Sequence, residues 1–385
     1  MSTESSDAPD DAQSGELHRI CIVIGTLGGG GAERIALMIA GHWQARGHAV
    51  TLITLSDSEP DSYPVPAHLQ RVGLHDRPAG AGRLRARLAR VRELRRVFET
   101  SRPDTIVSLI DITNIFTLLA ARRLRIPTIV CEEVDPRAHR IPPVWRALRW
   151  LLYRRASRVV VRAQSVHSWA IRVARRGCAV VIPNANTIVP AARKPSVTAG
   201  RHRAIAMGRL VPQKGFDLLI EAFASLAATH PAWDLVIWGE GPERPALEAL
   251  VGHYGLEGRV SLPGFSHQVA EEYATAELFV LSSRYEGFAL VLLEAMASGL
   301  PCVAFDCPSG PGELIDDEVN GILVPVGDVG GLADAMNRLM GAPAERDRFG
   351  RTAVAVRDQF SAARIMSEWD ALLADVNDLQ APGTR

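Results

Sequence analysis

The sequence predicts an α/β protein with two domains, each built around a parallel β-sheet. The chain has 385 residues, more than the roughly 250–300 over which a single hydrophobic core usually grows. Short continuous apolar runs, typical of parallel strands buried on both faces, alternate with longer helical segments. The alternation stops at residues 183–200, where three prolines, several alanines and a glycine favour a linker, and then restarts.

The domain boundaries follow from this break. Residues 1–16 contain five acidic residues, no basic residue and no apolar periodicity, so we expect a disordered tail. We assign residues 17–190 to the first domain, 191–200 to the linker and 201–360 to the second domain. We expect the last helix, at 361–378, to close the chain by packing back on the first domain.

The individual elements are predicted from apolar runs and helical periodicity. In the first domain we expect strands at Arg19–Gly25, Ala49–Leu55, Thr105–Leu109, Thr128–Cys131 and Arg158–Val161, and helices at Ala32–Arg46 and Arg83–Phe98. In the second we expect strands at Arg203–Met207, Leu235–Trp238, Arg259–Leu262, Leu278–Leu281 and Cys302–Phe305, and helices at Gly215–Thr229, Phe288–Ser298 and Ala363–Asp375.

Composition excludes several classes of protein. With 47% apolar and 22% charged residues, the chain is not mostly disordered. No run approaches the roughly 18 apolar residues of a membrane-spanning helix. The acidic N-terminus lacks the apolar core of a secretory signal, and the five cysteines show no zinc-type spacing. A reduced, cytoplasmic compartment is therefore expected.

The formal net charge of zero is a sum of unlike parts. Residues 17–190 carry 27 basic and 12 acidic residues, a net charge of +15, whereas residues 191–385 carry 16 basic and 26 acidic residues, a net charge of −10. Such asymmetry points to an anionic partner of the first domain.

A glycine-rich segment, Gly25–Arg34, joins the first strand to the first helix. Glycines allow a tight turn and the close approach of a ligand, and the amides of a helix start favour phosphate. The segment lacks the lysine of a P-loop. A nicotinamide-type site with Asp57 as the ribose-binding acid, and a purely structural turn, stay open as alternatives.

A second segment, Gly208–Asp217, follows the first strand of the second domain and opens a helix. Arg209 and Lys214 lie here at the carboxyl end of the strand, where ligands of open α/β sheets bind. Two cations beside a helix start can neutralise a diphosphate. The alternative is two solvated loop charges.

A third segment holds two glutamates eight residues apart. Glu286 lies in the loop before a helix, and Glu294 lies two turns into that helix among apolar neighbours. A carboxylate in such surroundings needs a partner, and it could accept hydrogen bonds from two sugar hydroxyls. A neighbouring arginine could satisfy it equally well.

Together, these segments closely resemble glycosyltransferase family 4, the retaining nucleotide-sugar enzymes of GT-B fold. The resemblance covers about residues 18–375, and the start G-G-A-E-R at Gly30–Arg34 is typical of members that use UDP-hexoses or UDP-N-acetylhexosamines. The other matching segments are the E-x7-E pair, G-R-L-V-P-Q-K-G-F-D at 208–217, Asn184 after Val181-Ile-Pro, Gly239–Arg244, Pro308–Glu313 and Asn320–Pro325.

The resemblance implies a role for each matching residue. Arg209 and Lys214 would bind the donor diphosphate and stabilise the leaving group as charge develops. Glu286 would hold the donor sugar, and Glu294 the ribose. The donor-binding residues implied are Gly30, Gly31, Gly208, Gly239, Gly241, Leu262, Gly287, Phe288, Ala289, Leu290 and Glu294. Gly30 and Gly31 would reach the diphosphate from across the cleft.

The sequence departs from many relatives after the strand at Thr128–Cys131. Glu133 stands where those relatives carry a histidine that contacts the donor sugar. We expect Glu133 or Asp135 to bind a sugar hydroxyl or the acceptor, unless both are ordinary loop acids near Arg137 and His139. No cofactor or metal is implied, and no D-x-D sequence occurs in the chain.

Two arginine-rich segments suggest the anionic partner. On a helix, Trp145, Leu148, Leu152 and Tyr153 would share one side with arginines around them, a pattern that suits a membrane interface. Residues 83–96 add seven arginines against one glutamate. The alternative is a helix packed on the first sheet with arginines reaching into solvent. Nucleic acid is not expected, because no recognised binding pattern is present.

The expected function is transfer of a hexose or N-acetylhexosamine from a UDP-sugar to a saccharide or lipid-linked acceptor. The resemblance implies retention of configuration. Two alternatives share the fold, a UDP-N-acetylglucosamine 2-epimerase and a non-catalytic sugar-nucleotide binder. The intact set of Arg209, Lys214, Glu286 and Glu294 disfavours the binder.

Overall fold

The computed structural model describes residues 16–56, 61, 63–74, 83–192 and 200–378. Three predictions therefore lie outside the described residues. These are the disordered tail apart from its last residue, most of the linker at 191–200, and the ribose-binding role of Asp57.

The first half of the chain forms a seven-stranded parallel sheet with the order β3-β2-β1-β4-β5-β6-β7. Its strands are β1 (Arg19–Ile24), β2 (Ala49–Thr54), β3 (Gln70–Gly73), β4 (Thr105–Leu109), β5 (Thr128–Glu132), β6 (Arg158–Val161) and β7 (Ala179–Val181). Its helices are α1 (Gly31–Ala45), α2 (Arg83–Ser101), α3 (Asp111–Ala121), α4 (Pro143–Leu152) and α5 (Gln164–Val173).

The second half forms a six-stranded parallel sheet with the order β10-β9-β8-β11-β12-β13. Its strands are β8 (His202–Met207), β9 (Trp233–Trp238), β10 (Val260–Gly264), β11 (Leu278–Leu281), β12 (Cys302–Asp306) and β13 (Ile322–Pro325). Its helices are α6 (Phe216–Leu226), α7 (Arg244–His253), α8 (Val269–Ala274), α9 (Leu290–Ala297), α10 (Pro311–Leu314), α11 (Val329–Gly341), α12 (Pro343–Ala353) and α13 (Val356–Gln359); α14 (Ala362–Asp378) ends the described chain.

Both sheets are covered on both faces, which confirms the predicted α/β fold of two parallel sheets. Side chains of β1 alternate between two apolar clusters, one under α2–α5 and one under α1 and α14. The second sheet is likewise enclosed by two clusters. Burial on both faces explains why these strands read as continuous apolar runs.

The strand order creates one switch point in each sheet. The chain winds outward in one direction from β1 and in the other from β4, and β8 and β11 behave in the same way. Crevices at such points, outside the carboxyl ends of the strands, are where open α/β sheets bind ligands. The loops after β8 and β11 therefore define the place where the second half can hold a ligand.

The last helix crosses back to the first sheet. In α14, the fully buried Trp369 ring packs edge-on against Trp43 of α1, with ring centroids 6.0 Å apart. The indole of Trp43 donates a hydrogen bond of 3.0 Å to Asp370 Oδ1. The rest of the apolar face of α14 joins the same cluster as β1.

The outward face of α4 differs from the one inferred from the sequence. Trp145, Leu152 and Tyr153 are buried against the first sheet, and Trp145 packs on Phe116 of α3. These side chains are part of the hydrophobic core because they face the neighbouring α3. The exposed apolar residues of α4 are Val144, Trp150 and Leu151.

We predict that Trp369→Ala destabilises the protein strongly, because it leaves a large cavity between α14 and the first sheet. The expected loss is about 3–5 kcal/mol, which corresponds to a fall of roughly 5–15 °C in the melting temperature. Trp150→Ala, at a site that is 50% exposed, is the matched control and should change the melting temperature little. Equal melting temperatures of the two variants would contradict this account of α14.

Candidate functional site

The loop after β8 carries one free and one paired cation. Arg209 is exposed, and within the described part of the chain its guanidinium has no ion pair or hydrogen bond. Lys214 ends a short 3-10 turn, and Gly215 after it adopts φ 63°. A Cβ on Gly215 would lie 2.1 Å from the carbonyl oxygen of Ser282. Glycine is therefore required where this loop meets the loop after β11.

The loops after β8 and β11 are joined by an ion pair. Lys214 Nζ lies 2.6 Å from Glu286 Oε1, which also accepts a hydrogen bond of 2.6 Å from Ser283 Oγ. The Glu286 side chain is nearly buried. The sequence places these residues 72 positions apart, and the second switch point brings them together.

The glycines after β9 pack beside the same loop. Gly208 N donates to the Trp238 carbonyl at 3.0 Å, and Leu210 N donates to the Glu240 carbonyl at 2.8 Å. Gly239 and Gly241 thus lie directly against the β8 loop. Leu262 is further out on β10, where its carbonyl accepts from Arg244 of α7 at 2.8 Å.

The two halves of the chain touch through backbone beside this ion pair. The amide of Asp135 donates to the Glu286 carbonyl at 3.1 Å, and the Ser309 hydroxyl donates to the same oxygen at 2.6 Å. A Cβ on Gly287 would lie 2.0 Å from the carbonyl oxygen of Glu133. Only glycine allows the loop before α9 to approach the loop after β5 so closely.

The start of α9 is shaped by a strained residue. Ala289 adopts φ 58° as the residue before the helix, a conformation that is uncommon outside glycine. Phe288 and Leu290 are buried, so this segment can offer a ligand backbone rather than side chains. Gly31 of α1 faces it, and a Cβ there would lie 3.5 Å from Leu290 Cδ2.

Glu294 is fully buried and is held from the other half of the chain. Its Oε1 lies 2.5 Å from Arg34 Nη2 of α1 and accepts a hydrogen bond from Thr187 Oγ1 at 3.4 Å. Tyr273 OH donates to Oε2 at 3.5 Å. Burial raises the pKa of Glu294, and Arg34 opposes that shift. In this structure the carboxylate is thus satisfied by an arginine, the alternative left open by the sequence.

The two acids after β5 are both engaged by arginines. Glu133 is gripped by Arg162, whose Nε lies 3.0 and 3.1 Å from the two carboxylate oxygens. Asp135 is fully buried, and its carboxylate accepts hydrogen bonds from the side chain and the backbone amide of Arg137. The loop that carries them reaches the cleft, but both carboxylates already have charged partners.

Sequence reasoning missed a pair of residues at the first switch point. Asp111, just after β4, is buried. Among the described residues its Oδ2 has no hydrogen-bond donor, and His139 Nε2 is 3.6 Å away. The preceding Ile110 has φ 75°, a strained value for a β-branched residue. His139 also lies beside Tyr285 of the second half, with ring centroids 6.4 Å apart. No sequence pattern marks these residues.

A second buried acid lies behind this pair. Glu132, at the end of β5, accepts a hydrogen bond of 2.5 Å from Tyr153 OH, and Arg149 Nη1 is 3.6 Å away. Burial raises the pKa of Glu132 to about 8, although Arg149 opposes the shift.

No group of three or more His, Cys, Asp and Glu side chains is arranged to hold a metal ion in the described ranges. None of the described helices has both the length and the apolar character needed to cross a bilayer.

We predict that Arg34→Met destabilises the protein by about 3–5 kcal/mol, because it leaves Glu294 charged, buried and unpaired. Methionine keeps much of the aliphatic part of the arginine side chain, so the loss of stability measures the effect of removing the positive charge. The double variant Arg34→Met/Glu294→Gln should recover most of the melting temperature. Additive losses in the double variant would show that the pair does not hold the halves together.

We predict that Glu132 makes the stability depend on pH. An acid whose pKa is raised from its ordinary 4.5 to about 8 keeps its proton in the folded state after the unfolded chain has lost it. Its contribution to stability is therefore present in full below about pH 4.5 and is lost as the pH rises through about 8. Melting curves from pH 5 to 8.5 should fall less steeply for Glu132→Gln than for the wild type. Parallel curves would contradict the assignment.

Two protein-family descriptions match the chain, one on each half. The description "Glycosyl transferase 4-like domain" matches residues 30–185, and "Glycosyl transferases group 1" matches residues 191–355. The second match contains both loops of the second switch point, and the first contains the loop after β4.

Curated relatives include partial and full-length matches. The exopolysaccharide phosphotransferase SCO2592 of Streptomyces coelicolor is 40% identical over 51% of this chain, which spans only 20% of that protein. The amylovoran biosynthesis glycosyltransferase AmsD of Erwinia amylovora is 26% identical over 93% of this chain and 100% of its own length.

Solved structures share the fold over nearly the whole chain. Sucrose-phosphate synthase of Thermosynechococcus elongatus is 21% identical, with a TM-score of 0.81 over 94% of this chain and 100% of its own. Anabaena HepE in complex with UDP-glucose is 21% identical, with a TM-score of 0.77 over 93% of this chain and 100% of its own. With both halves matched, the chain belongs to the glycosyltransferases of GT-B fold.

Proposed function

We propose that the protein transfers a hexose or N-acetylhexosamine from a UDP-sugar to a saccharide or lipid-linked saccharide. The observation that carries this proposal is that Arg209, Lys214 and Glu286 lie on the two loops of the second switch point, while the start of α9 beside them lies against Gly31 of α1. The resemblance to AmsD, named for amylovoran biosynthesis, and to HepE, solved with UDP-glucose, supports a donor and an acceptor of these kinds.

The diphosphate would be bound by the two cations of the β8 loop. Arg209 has no counter-charge of its own in the described chain, so a phosphate can engage it without breaking an ion pair. Lys214 would exchange Glu286 for the diphosphate, which leaves the Glu286 carboxylate free to accept hydrogen bonds from sugar hydroxyls. One ion pair would thereby supply both a diphosphate ligand and a sugar ligand.

The same cations would stabilise the leaving group. As the bond between the sugar and the diphosphate breaks, negative charge builds on the phosphate oxygens, and fixed positive groups beside them lower the barrier. We propose that this electrostatic role of Arg209 and Lys214 replaces a divalent cation. The backbone of Gly287, Phe288 and Ala289 at the start of α9 would add amide donors.

The ribose would be held by Glu294, as the family resemblance implies. Its carboxylate is now occupied by Arg34, so a donor must share that oxygen or displace the arginine. A cavity of about 490 Å³ beside Arg34, lined also by Tyr63, Asn186 and Thr187, offers space for the displaced guanidinium. Donor binding and the contact between the two halves are then coupled through one carboxylate.

The acceptor would approach from the first switch point. Because Glu133 and Asp135 are bound by arginines, we assign the acceptor side first to Asp111 and to His139, which lies beside Tyr285 across the cleft. We propose retention by a front-face path, in which the leaving phosphate helps to take the proton from the acceptor hydroxyl. None of the acids named here is then required as a nucleophile.

We predict that UDP and UDP-sugars raise the melting temperature of the wild type, whereas GDP- and ADP-sugars do so less, since a ligand stabilises the state it binds. Lys214→Ala should weaken the UDP response and lower turnover at least about 100-fold, a typical cost of losing one charge-stabilising group. Turnover would be followed by UDP release with a mixed panel of saccharide acceptors.

Arg338→Ala is the matched control, because this arginine forms surface ion pairs with Glu318 and Glu345 far from the cleft. It should leave the UDP response and turnover unchanged. Full activity of a folded Lys214→Ala protein would refute the donor-site assignment. UDP-N-acetylglucosamine conversion without any acceptor would instead indicate an epimerase.

A further inference from the structure

One layer of the first domain carries an unusual surface. Residues 136–190 contain eleven arginines and no aspartate or glutamate. In the structure, α2, α4 and α5 from this half cover the same side of the first sheet, since their buried residues share one apolar cluster. The only acids on α2, Glu93 and Glu99, lie in its C-terminal half.

Large apolar side chains project from the same layer into solvent. On α4, Val144, Trp150 and Leu151 are each at least half exposed, as are Leu88 on α2 and Ile171 on α5. We call the outward surface of α2, α4 and α5 the basic face. The face includes the turns that directly follow α4 and α5. Its exposed arginines are Arg85, Arg87, Arg92, Arg96, Arg146, Arg154, Arg155, Arg172, Arg175 and Arg176.

Apolar and basic groups are interleaved on this face. The Arg154 guanidinium lies 3.9 Å from the centroid of the Trp150 ring, and Arg87 of α2 lies 4.8 Å from the centroid of the Trp145 ring in α4. The second contact shows that α2 and α4 form one continuous surface. Tryptophan and aliphatic side chains ringed by arginines suit the boundary between headgroups and acyl chains.

We propose that the basic face docks on an anionic lipid bilayer, with Val144, Trp150 and Leu151 entering the interface. Charge complementarity favours this occupant over a neutral membrane, because each arginine near the surface is attracted by anionic headgroups. The exposed aliphatic side chains favour a bilayer over nucleic acid, whose phosphates they cannot bind. The proposal rests on the proposed function only in linking this face to a lipid-linked acceptor.

The position of the face relative to the cleft supports that link. The chain passes from the cleft loop after β5 directly into α4, whose N-terminus therefore lies at the carboxyl edge of the sheet. Within that connection, Arg137 donates to the Pro308 carbonyl at 3.4 Å and His139 lies beside Tyr285. A bilayer against α4 would thus border the side of the cleft that we assign to the acceptor.

Vesicle co-sedimentation of the full chain tests the proposal. Vesicles would contain phosphatidylcholine alone or equal parts of phosphatidylcholine and phosphatidylglycerol, at low and high salt. We expect binding to the anionic vesicles only. Arg146→Glu/Arg154→Glu should lower the partition coefficient at least about tenfold at low salt, and Trp150→Ala/Leu151→Ser should lower it about tenfold at both salt concentrations.

Matched controls come from exposed residues of the second half and of α14. Tyr254→Ala/Val319→Ser removes an exposed aromatic and an exposed aliphatic side chain, and Arg364→Glu reverses an exposed charge; both should bind like the wild type. All variants should keep the wild-type melting temperature to within a few degrees.

Several results would overturn the proposal. The first is that both basic-face variants bind anionic vesicles as well as the wild type does. The second is that the wild type binds neutral vesicles as well as anionic ones. The third is that the wild type binds a single-stranded oligonucleotide and that Trp150→Ala/Leu151→Ser does not weaken this binding. The UDP-induced thermal shift is measured on the same proteins without vesicles. Its absence would refute the proposed donor site and leave the membrane result standing, so the two failures are distinguishable.

Discussion

The structure depends on a carboxylate that its own half of the chain cannot neutralise. Glu294 lies in α9 among apolar side chains and is fully buried. An isolated charge there would cost far more than one interaction returns. Its counter-charge, Arg34, comes from the first helix of the chain. Satisfying Glu294 therefore requires the two sheets to face each other in this arrangement, and it also places the start of α1 opposite the start of α9.

The other contacts across the cleft reinforce the same arrangement with backbone. Gly287 lies against the Glu133 carbonyl, and the Asp135 amide bonds to Glu286. Glu313 of the second half accepts hydrogen bonds of 2.8 and 2.9 Å from the first two amides of α5, where a carboxylate is favoured by the helix dipole. All these groups lie at the carboxyl edges of the sheets. Any molecule that enters the cleft must compete with these contacts between the two halves. The groups that bind a ligand are therefore also the groups that hold the two halves together.

The sequence predicted well what depends on local pattern. Strands buried on both faces, such as β1 and β4, were found nearly to the residue because most of their side chains are apolar and form short continuous runs in the sequence. The short edge strands β3 and β7 were not predicted, because their side chains are only half-buried and their pattern is weak. The coupling of Lys214 to Glu286 could be anticipated only through the family resemblance.

Tertiary pairing was beyond the reach of the sequence. Nothing local indicates that Arg162 would grip Glu133, which the sequence favoured as a sugar ligand, since 29 residues and a helix separate them. Likewise, the strained Ile110 and the unpaired oxygen of Asp111 arise from the way β4 meets α3. The helical pattern of α4 placed Trp145, Leu152 and Tyr153 on one side but left open whether that side meets a membrane or the first sheet, because the packing partner in α3 is not visible in the local sequence.

The charge asymmetry of the chain acquires a location once these pairings are known. Part of the arginine surplus of the first half is used internally, since Arg34 and Arg162 pair with acids, Arg149 is buried beside Glu132, and Arg95 bonds to carbonyls at the end of α3. What remains exposed is concentrated on the basic face. An anionic donor meets a mostly acidic second half, in which Arg209 is an exposed cation on the loop after β8. The donor must therefore be selected by the local positive charge at the second switch point and not by the net charge of either half. The exposed positive charge of the first half remains available to bind the anionic surface that carries the acceptor.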